Sequence, residues 1–271
     1  MDIAHPVHRG LRGLVNRMQG YDFRLDPHAV HHGVPSPAAT VIISFDEPLD
    51  VGWQDDPTSR VQRWLLASGM HTRPAIIHTH GTQHGIQLDL TPAGCRALLG
   101  LPIGPIARGL ADHTDVPLGI PEHLHARLAD APWPTRFGLL EDHLLRLATR
   151  DRTRVPDDLA QAWRVLATTR GRVGVADLAR GIGWSRRHLV NRFTAEFGLP
   201  PRDLGRLHRF GAAQRYARQG VPWAEVAARA GYADQAHLSR EFREFAGQTP
   251  TAWRAEAFPI VQDAEDPAAQ R

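Results

Sequence analysis

Apolar residues in the last third of the chain fall at helical spacing, and they do so twice in the same arrangement. The run from Asp177 to Phe193 places Ala179, Gly183, Leu189 and Phe193 where the run from Glu225 to Phe242 places Ala227, Gly231, Leu238 and Phe242, with one extra residue in the second turn. In each copy a short helix ends at a glycine that supplies a sharp turn. A polar residue, Ser185 or Asp234, then caps the next helix. That helix turns Leu189, Phe193 and Phe197, or Leu238, Phe242 and Phe245, inward. The pattern predicts two helix-turn-helix units, at about 175–196 and 223–246. A helix from about Pro201 to Arg218, with an inner stripe of Leu204, Leu207 and Phe210, joins them. Another, Asp157–Thr169, precedes them with Leu159, Trp163 and Leu166 on one side.

The first part of the chain follows a different period. Thr40–Phe45 is β-branched and apolar between prolines, and Pro74–His78 and Gly85–Leu90 read as two more strands, the last alternating apolar and polar. Thr91 and Pro92 open a helix, as N-cap and first residue, which runs past Cys95, Leu98 and Leu99 to Gly100. Helical segments follow near Glu122–Leu128 and Phe137–Ala148, separated by Pro132 and Pro134. The polar stretch Asp151–Pro156 reads as a short hinged link, and 257–271 as a loose tail. The fold class expected is therefore multi-domain α+β: a β-rich domain over 1–150, then an all-α domain over 156–256 with two helix-turn-helix units.

The outward faces of the two second helices carry the chemistry. On the first lie Arg186, Arg187 and Asn191, flanked by His188 and Arg192; on the second lie Gln235, Ser239 and Arg240, with His237 beside them. A major groove admits one helix, and Arg, Asn and Gln match guanine and adenine edges while also serving phosphates. At about 1.5 Å per residue, the joining helix would span roughly 25 Å, of the order needed for successive major grooves. Its Arg202, Arg206 and Arg209 fit either the DNA backbone between the grooves or solvent.

Composition agrees with a polyanion partner for one half only. Between Arg172 and Glu256 there are 14 Arg against 8 Asp and Glu, a net of +6, whereas the whole chain of 271 residues is +3. A solvated basic surface would give the same count. Every cationic residue is Arg, so each basic contact is a planar fork. The lone Cys95 excludes an internal disulfide and suits a reducing, cytoplasmic setting. No apolar run is long enough to cross a bilayer.

Gly231-Tyr232-Ala233-Asp234-Gln235-Ala236-His237-Leu238-Ser239-Arg240-Glu241-Phe242, followed by Gly247-Gln248-Thr249-Pro250, resembles the signature of the AraC/XylS family of bacterial transcription regulators. Trp184-Ser185-Arg186-Arg187-His188-Leu189 and Phe197-Gly198-Leu199-Pro200-Pro201 resemble its first half, and the likeness covers about Pro156 to Arg254. The resemblance implies a seven-helix domain that binds double-stranded promoter DNA, and an activator that touches RNA polymerase. The family often has Arg two residues after the first-unit leucine; here Asn191 stands there and Arg192 follows, so which of the two meets the bases stays open. His32–Pro37, His71–Pro74 and Gly85–Leu88 are similar to the N-terminal half of some members. That implies a β-rich, cupin-like domain for sensing a small-molecule effector and for homodimerisation, with the effector unspecified.

Other chemistry fits less well. His78, His80 and His84 have metal-ligand spacing, yet no second ligand set follows them, so no metal is expected. Cys95 sits between Gly94 and Arg96 on an apolar helix and reads as a buried thiol rather than a nucleophile. No catalytic set or phosphate-cradling glycine loop is present, and no cofactor is expected. The alternative to a regulator is an enzyme or small-molecule binding protein with an appended DNA-binding unit.

Overall fold

A computed structural model describes residues 1–107, 110–112, 118–150 and 153–255. The expected tail lies outside these residues, as do Asp151 and Arg152 of the expected link. Among the described residues the first half holds ten strands: β1 Asp2–His5, β2 Val15–Arg24, β3 Val30–Gly33, β4 Ala39–Ser44, β5 Leu49–Trp53, β6 Asp56–Arg63, β7 Leu65–Ser68, β8 Ala75–His78, β9 Thr82–Leu90 and β10 Leu110–Asp112. They form two antiparallel sheets, in the orders β1-β2-β9-β4-β7-β10 and β3-β8-β5-β6. This is the β-rich half expected, with three of its strands legible beforehand.

The larger sheet is covered on both faces. Val41 and Ile43 of β4 and Ile86, Leu88 and Leu90 of β9 join a core that continues into the helices. The intervening Thr40, Ile42 and Gln87 face the smaller sheet instead. The alternation along Gly85–Leu90 therefore separates two interior faces, because strand side chains point to opposite sides at every step. The covering elements are α1 Pro92–Gly94 with the π-helical turn Cys95–Leu99 that continues it, α2 Glu122–Asp130 and α3 Trp133–Ala148. Thr91 caps α1 by accepting from the Gly94 N–H at 2.9 Å, as its sequence predicts. Pro132 is the N-cap of α3, and Pro134 falls inside its first turn rather than between two helices. The missing proline N–H costs nothing there, so the helix starts earlier than the proline pair suggests.

The second half is α4 Asp157–Thr168, α5 Val175–Gly181, α6 Arg186–Phe197, α7 Pro201–Arg218, α8 Trp223–Ala230, α9 Gln235–Ala246 and α10 Pro250–Ala255. Seven helices among the described residues match the number the resemblance implies. Phe210 of α7 meets Phe242 and Phe245 of α9 edge-on at 4.9 and 5.2 Å, which fixes the second unit to the long helix. Trp163 of α4 and Phe193 lie against Phe197 of α6 at 4.8 and 4.4 Å, fixing the first.

Candidate nucleic-acid interface and inner cavity

The two units repeat in backbone detail. Each first helix closes with the same hydrogen bond, Trp184 N–H to Ala179 O and Tyr232 N–H to Ala227 O, both at 2.9 Å. Gly183 and Gly231 make this possible with φ of 73° and 92°, a left-handed conformation that a side chain would strain. Ser185 then accepts from the His188 N–H at 3.2 Å and Asp234 from the His237 N–H at 2.6 Å. The aromatic after each glycine stands edge-on to the histidine of the following helix, Trp184 to His188 at 4.5 Å and Tyr232 to His237 at 5.2 Å. These ring pairs hold each turn against the start of its recognition helix. Aligning the two copies, which sets Trp184 against Tyr232 and His188 against His237, was the signal available for them.

Leu189, Phe193, Phe197, Leu238, Phe242 and Phe245 are all fully buried, so the opposite faces of α6 and α9 point outward. Arg186, Arg187, His188, Asn191 and Arg192 are exposed on α6; Gln235 and Arg240 are exposed on α9, with His237 and Ser239 half-buried beside them. Each unit thus brings its candidate residues together on one face. Among the described residues Arg186, Arg187, Arg192 and Arg240 have no carboxylate partner, whereas Arg180 and Arg229 are paired along their own helices with Asp177 and Glu225. The recognition faces therefore carry uncompensated positive charge.

Two arginines of α7 depart from the expectation that they meet DNA or solvent. Arg206 donates to Glu241 at 2.6 Å and to Glu244, and its guanidinium lies 4.6 Å from the Phe245 ring. Burial opposes its charge, but Glu244 and Glu241 outweigh that and hold the group well above its ordinary value. Arg209 donates to the Gly171 carbonyl at 3.0 Å. Both tie α7 to its neighbours, and only Arg202 of the three is exposed.

A contact that sequence reasoning missed joins the halves. Arg96, on the π-helical turn, makes a two-pronged ion pair with Glu196 of α6 at 2.7 and 2.6 Å and donates to Thr153 at 2.7 Å. Around it the chains touch backbone to backbone: a Cβ on Gly104 would fall 2.1 Å from the Ala195 carbonyl, and one on Gly198 would fall 1.9 Å from the Ala107 Cβ. The first recognition helix is thus clamped to the β-rich half. A single acidic residue inside a helix gives no sign of its distant partner, so only tertiary structure exposes this pair.

Between the two sheets lies a partly open cavity, in which the centre of a water-sized sphere can range over about 90 Å³. Tyr21, Ile42, Val51, Trp53, His71 and Gln87 are among its walls. Burial pushes His31 and His71 down to about 4, with nearby His32 adding to the effect on His31 and Arg73 opposing and then adding to it on His71. Both rings are therefore neutral near pH 7. His71 Nδ1 lies 2.7 Å from the Arg73 carbonyl, so Nδ1 carries the proton and Nε2 is left as an acceptor. A consequence is measurable. The unfolded chain protonates His31 from about the ordinary 6.5 downward while the folded chain resists until about 4. Stability is unaffected above that window and is lost as pH falls through it, at about 1.4 kcal/mol per pKa unit. Equilibrium unfolding across this range should show the loss, and His31→Phe should flatten it.

The three histidines with metal-ligand spacing do not converge. His84 accepts from Arg136 at 2.6 Å through Nε2, so its Nδ1 donates to Asp46 at 2.9 Å, and both nitrogens are used. His80 Nε2 meets Asp50, 2.8 Å away. The Arg60 hydrogen bond, helped by Gln62 and His80 and outweighing burial, holds the Asp50 carboxyl well below the usual range. Among the described residues no group of three His, Cys, Asp or Glu is arranged to hold a metal ion. Cys95 is buried, and desolvation followed by Glu196 pushes its thiol far up, which makes it a poor nucleophile. Among the described residues no helix is long and apolar enough to cross a membrane.

Paired helix-turn-helix units on a shared stiff helix, behind a cavity-bearing double sheet, define a two-domain DNA-binding architecture. The model of the helix-turn-helix domain matches residues 178–256. The uncharacterized HTH-type transcriptional regulator YbfI of Bacillus subtilis (strain 168) is 33% identical over 66 residues, which are 24% of this chain and 24% of that protein. The match thus spans about a quarter of that relative. The fatty-acid-bound structure of ToxT from Vibrio cholerae strain SCE256 has a TM-score of 0.55 at 10% identity, over 92% of this chain and 96% of ToxT. ToxT from Vibrio cholerae O395 gives 0.54 at 11% identity, over 88% and 97%. These likenesses show a fold shared over both halves of the chain. Over residues 178–256 the chain thus carries a helix-turn-helix domain, the part in which its sequence resembles the AraC/XylS family of transcription regulators.

Proposed function

We propose that this protein is a sequence-specific transcription regulator. Its helices α6 and α9 enter successive major grooves of promoter DNA, and its β-rich half senses a small molecule. The observation that carries the reading is the pair of exposed faces, unpaired in charge and spaced by the 18-residue α7. Asn191, Arg187, Gln235 and Arg240 are assigned to base edges. Arg186, His188, Arg192, His237 and Ser239 are assigned chiefly to phosphates. One ToxT structure holds an unsaturated fatty acid. From it we carry over only the idea that the first half receives a ligand, for which the cavity here offers the space. Contact with RNA polymerase, homodimerisation through the first half and a cytoplasmic site of action complete the reading. A sedimentation experiment giving a monomer at all concentrations removes the dimer.

The test is binding to a promoter fragment, titrated with salt. Arg240→Ala is expected to weaken binding by about 1–3 kcal/mol and to relax discrimination at one base pair. Uniform weakening across sequences with a shallower salt slope reassigns it to a phosphate. No effect for Arg240→Ala or Arg187→Ala contradicts the proposed faces.

A further inference from the structure

We propose that the space between the two sheets takes an uncharged, mainly apolar small molecule bearing a hydroxyl or carbonyl group, and that it rejects carboxylates at neutral pH. The inference rests on the reading of the β-rich half as a ligand-binding domain and names the chemistry of that site.

The cavity is a built feature of the fold. Protein interiors are close-packed, and strand faces of this kind normally interdigitate. Here the sheets meet through Leu66 of the larger one, while Thr40, Ile42 and Gln87 of its central strands face the space between them. Val51, Trp53, Leu66 and Ala75 form an apolar cluster of their own, separate from the main core. Thr40 and Ile42 are half-exposed although they sit on a central strand, because the surface they show is the cavity wall. Apolar surface left facing open space is what a ligand of the same character would cover.

The lining sets the class. Among the described residues no Asp, Glu or Arg lines this cavity. A carboxylate taken inside would lose its water and find no cation. Its polar groups are neutral hydroxyls, amides and imidazoles. Gln87 donates to Asp89 at 2.8 Å, which leaves its carbonyl oxygen as the acceptor, and His71 offers Nε2 in the same sense. These acceptors, with Gln83, suit a hydroxyl donor. Across Tyr21, Leu49 and Gln83 the wall continues into a smaller recess that holds Glu47 and Asp50. Asp50 is paired with Arg60, whereas Glu47 accepts only from Thr82 and has no cation beside it among the described residues, so on that side it repels an anion.

Two matched pairs test this on the full chain: 1-decanol against decanoate, and 2-naphthol against 2-naphthoate, followed by calorimetry and thermal shift. The neutral member of at least one pair is expected to bind roughly a hundredfold more tightly than its acid at neutral pH. Decanoate should gain affinity as the pH falls towards about 5, where the acid becomes neutral. Ile42→Phe, or Ala38→Leu should the first fail to fold, is expected to abolish binding while circular dichroism stays that of the parent. Equal or tighter binding of either acid, binding of neither neutral probe, or undiminished binding to a folded filled-cavity variant overturns the proposal. Promoter affinity measured alongside separates the two readings. A neutral probe that binds without altering it upholds the cavity chemistry and counts against sensing. An acid that binds and alters it does the reverse.

Discussion

Arg206→Ala is expected to destabilise the helical domain by about 3–5 kcal/mol, because it leaves Glu241 buried without its cation. The Glu241 side chain is only 2% exposed, and Arg206, at 20%, is its direct partner at 2.6 Å. Water cannot replace the guanidinium without opening the seam between α7 and α9. Packing against Phe245 is lost as well. Chemical denaturation of the variant measures the loss. Arg206→Met combined with Glu241→Leu should recover much of it, since removing both charges spares the unpaired carboxylate. A loss under about 1 kcal/mol for the single variant would mean that the pair is open to solvent and worth no more than a surface contact.

The second large effect is expected at the junction of the halves. Arg96→Ala strands Glu196, whose side chain is 7% exposed, beside the closely packed Gly104 and Gly198. The cost is again about 3–5 kcal/mol. It falls on the fastening of α6 rather than on α9, which contacts α7, α8 and α10 instead. Amide exchange should therefore rise in α6 and around residues 102–107 while α9 keeps its protection. Equal exchange in α6 of parent and variant would show that the pair fastens nothing. Because α6 carries half of the proposed DNA-contacting face, this clamp joins that face directly to the β-rich half.

The helical half was legible because its information is local. Caps at Ser185 and Asp234, turns at Gly183 and Gly231, and stripes such as Leu204, Leu207 and Phe210 each lie within one element, and each stands where its spacing puts it. The β-rich half was only partly legible. β6 reads Asp-Pro-Thr-Ser-Arg-Val-Gln-Arg, polar and with a proline, which is tolerated because it is an edge strand. β2 mixes Arg17, Gln19 and Asp22 into a strand whose longer pairing, with β9, lies far along the chain. Long-range pairs are hidden for the same reason. On its own helix Arg206 fits the DNA backbone or solvent equally well, and only the approach of α9 shows that its charge is used internally. The exposed faces of α6 and α9 follow from the buried stripes opposite them, while their contacts with DNA rest on the proposal above.

Selection of bound duplexes from a random pool, followed by hydroxyl-radical footprinting, tests most directly whether α6 and α9 read one side of a duplex together. Two short recognised blocks are expected, protected on the same side and centred about one helical turn, some 10 base pairs, apart. Inserting about five base pairs between them should abolish tight binding, since α7 cannot follow half a turn of DNA. A single recognised block, or affinity indifferent to that insertion, would contradict the paired arrangement.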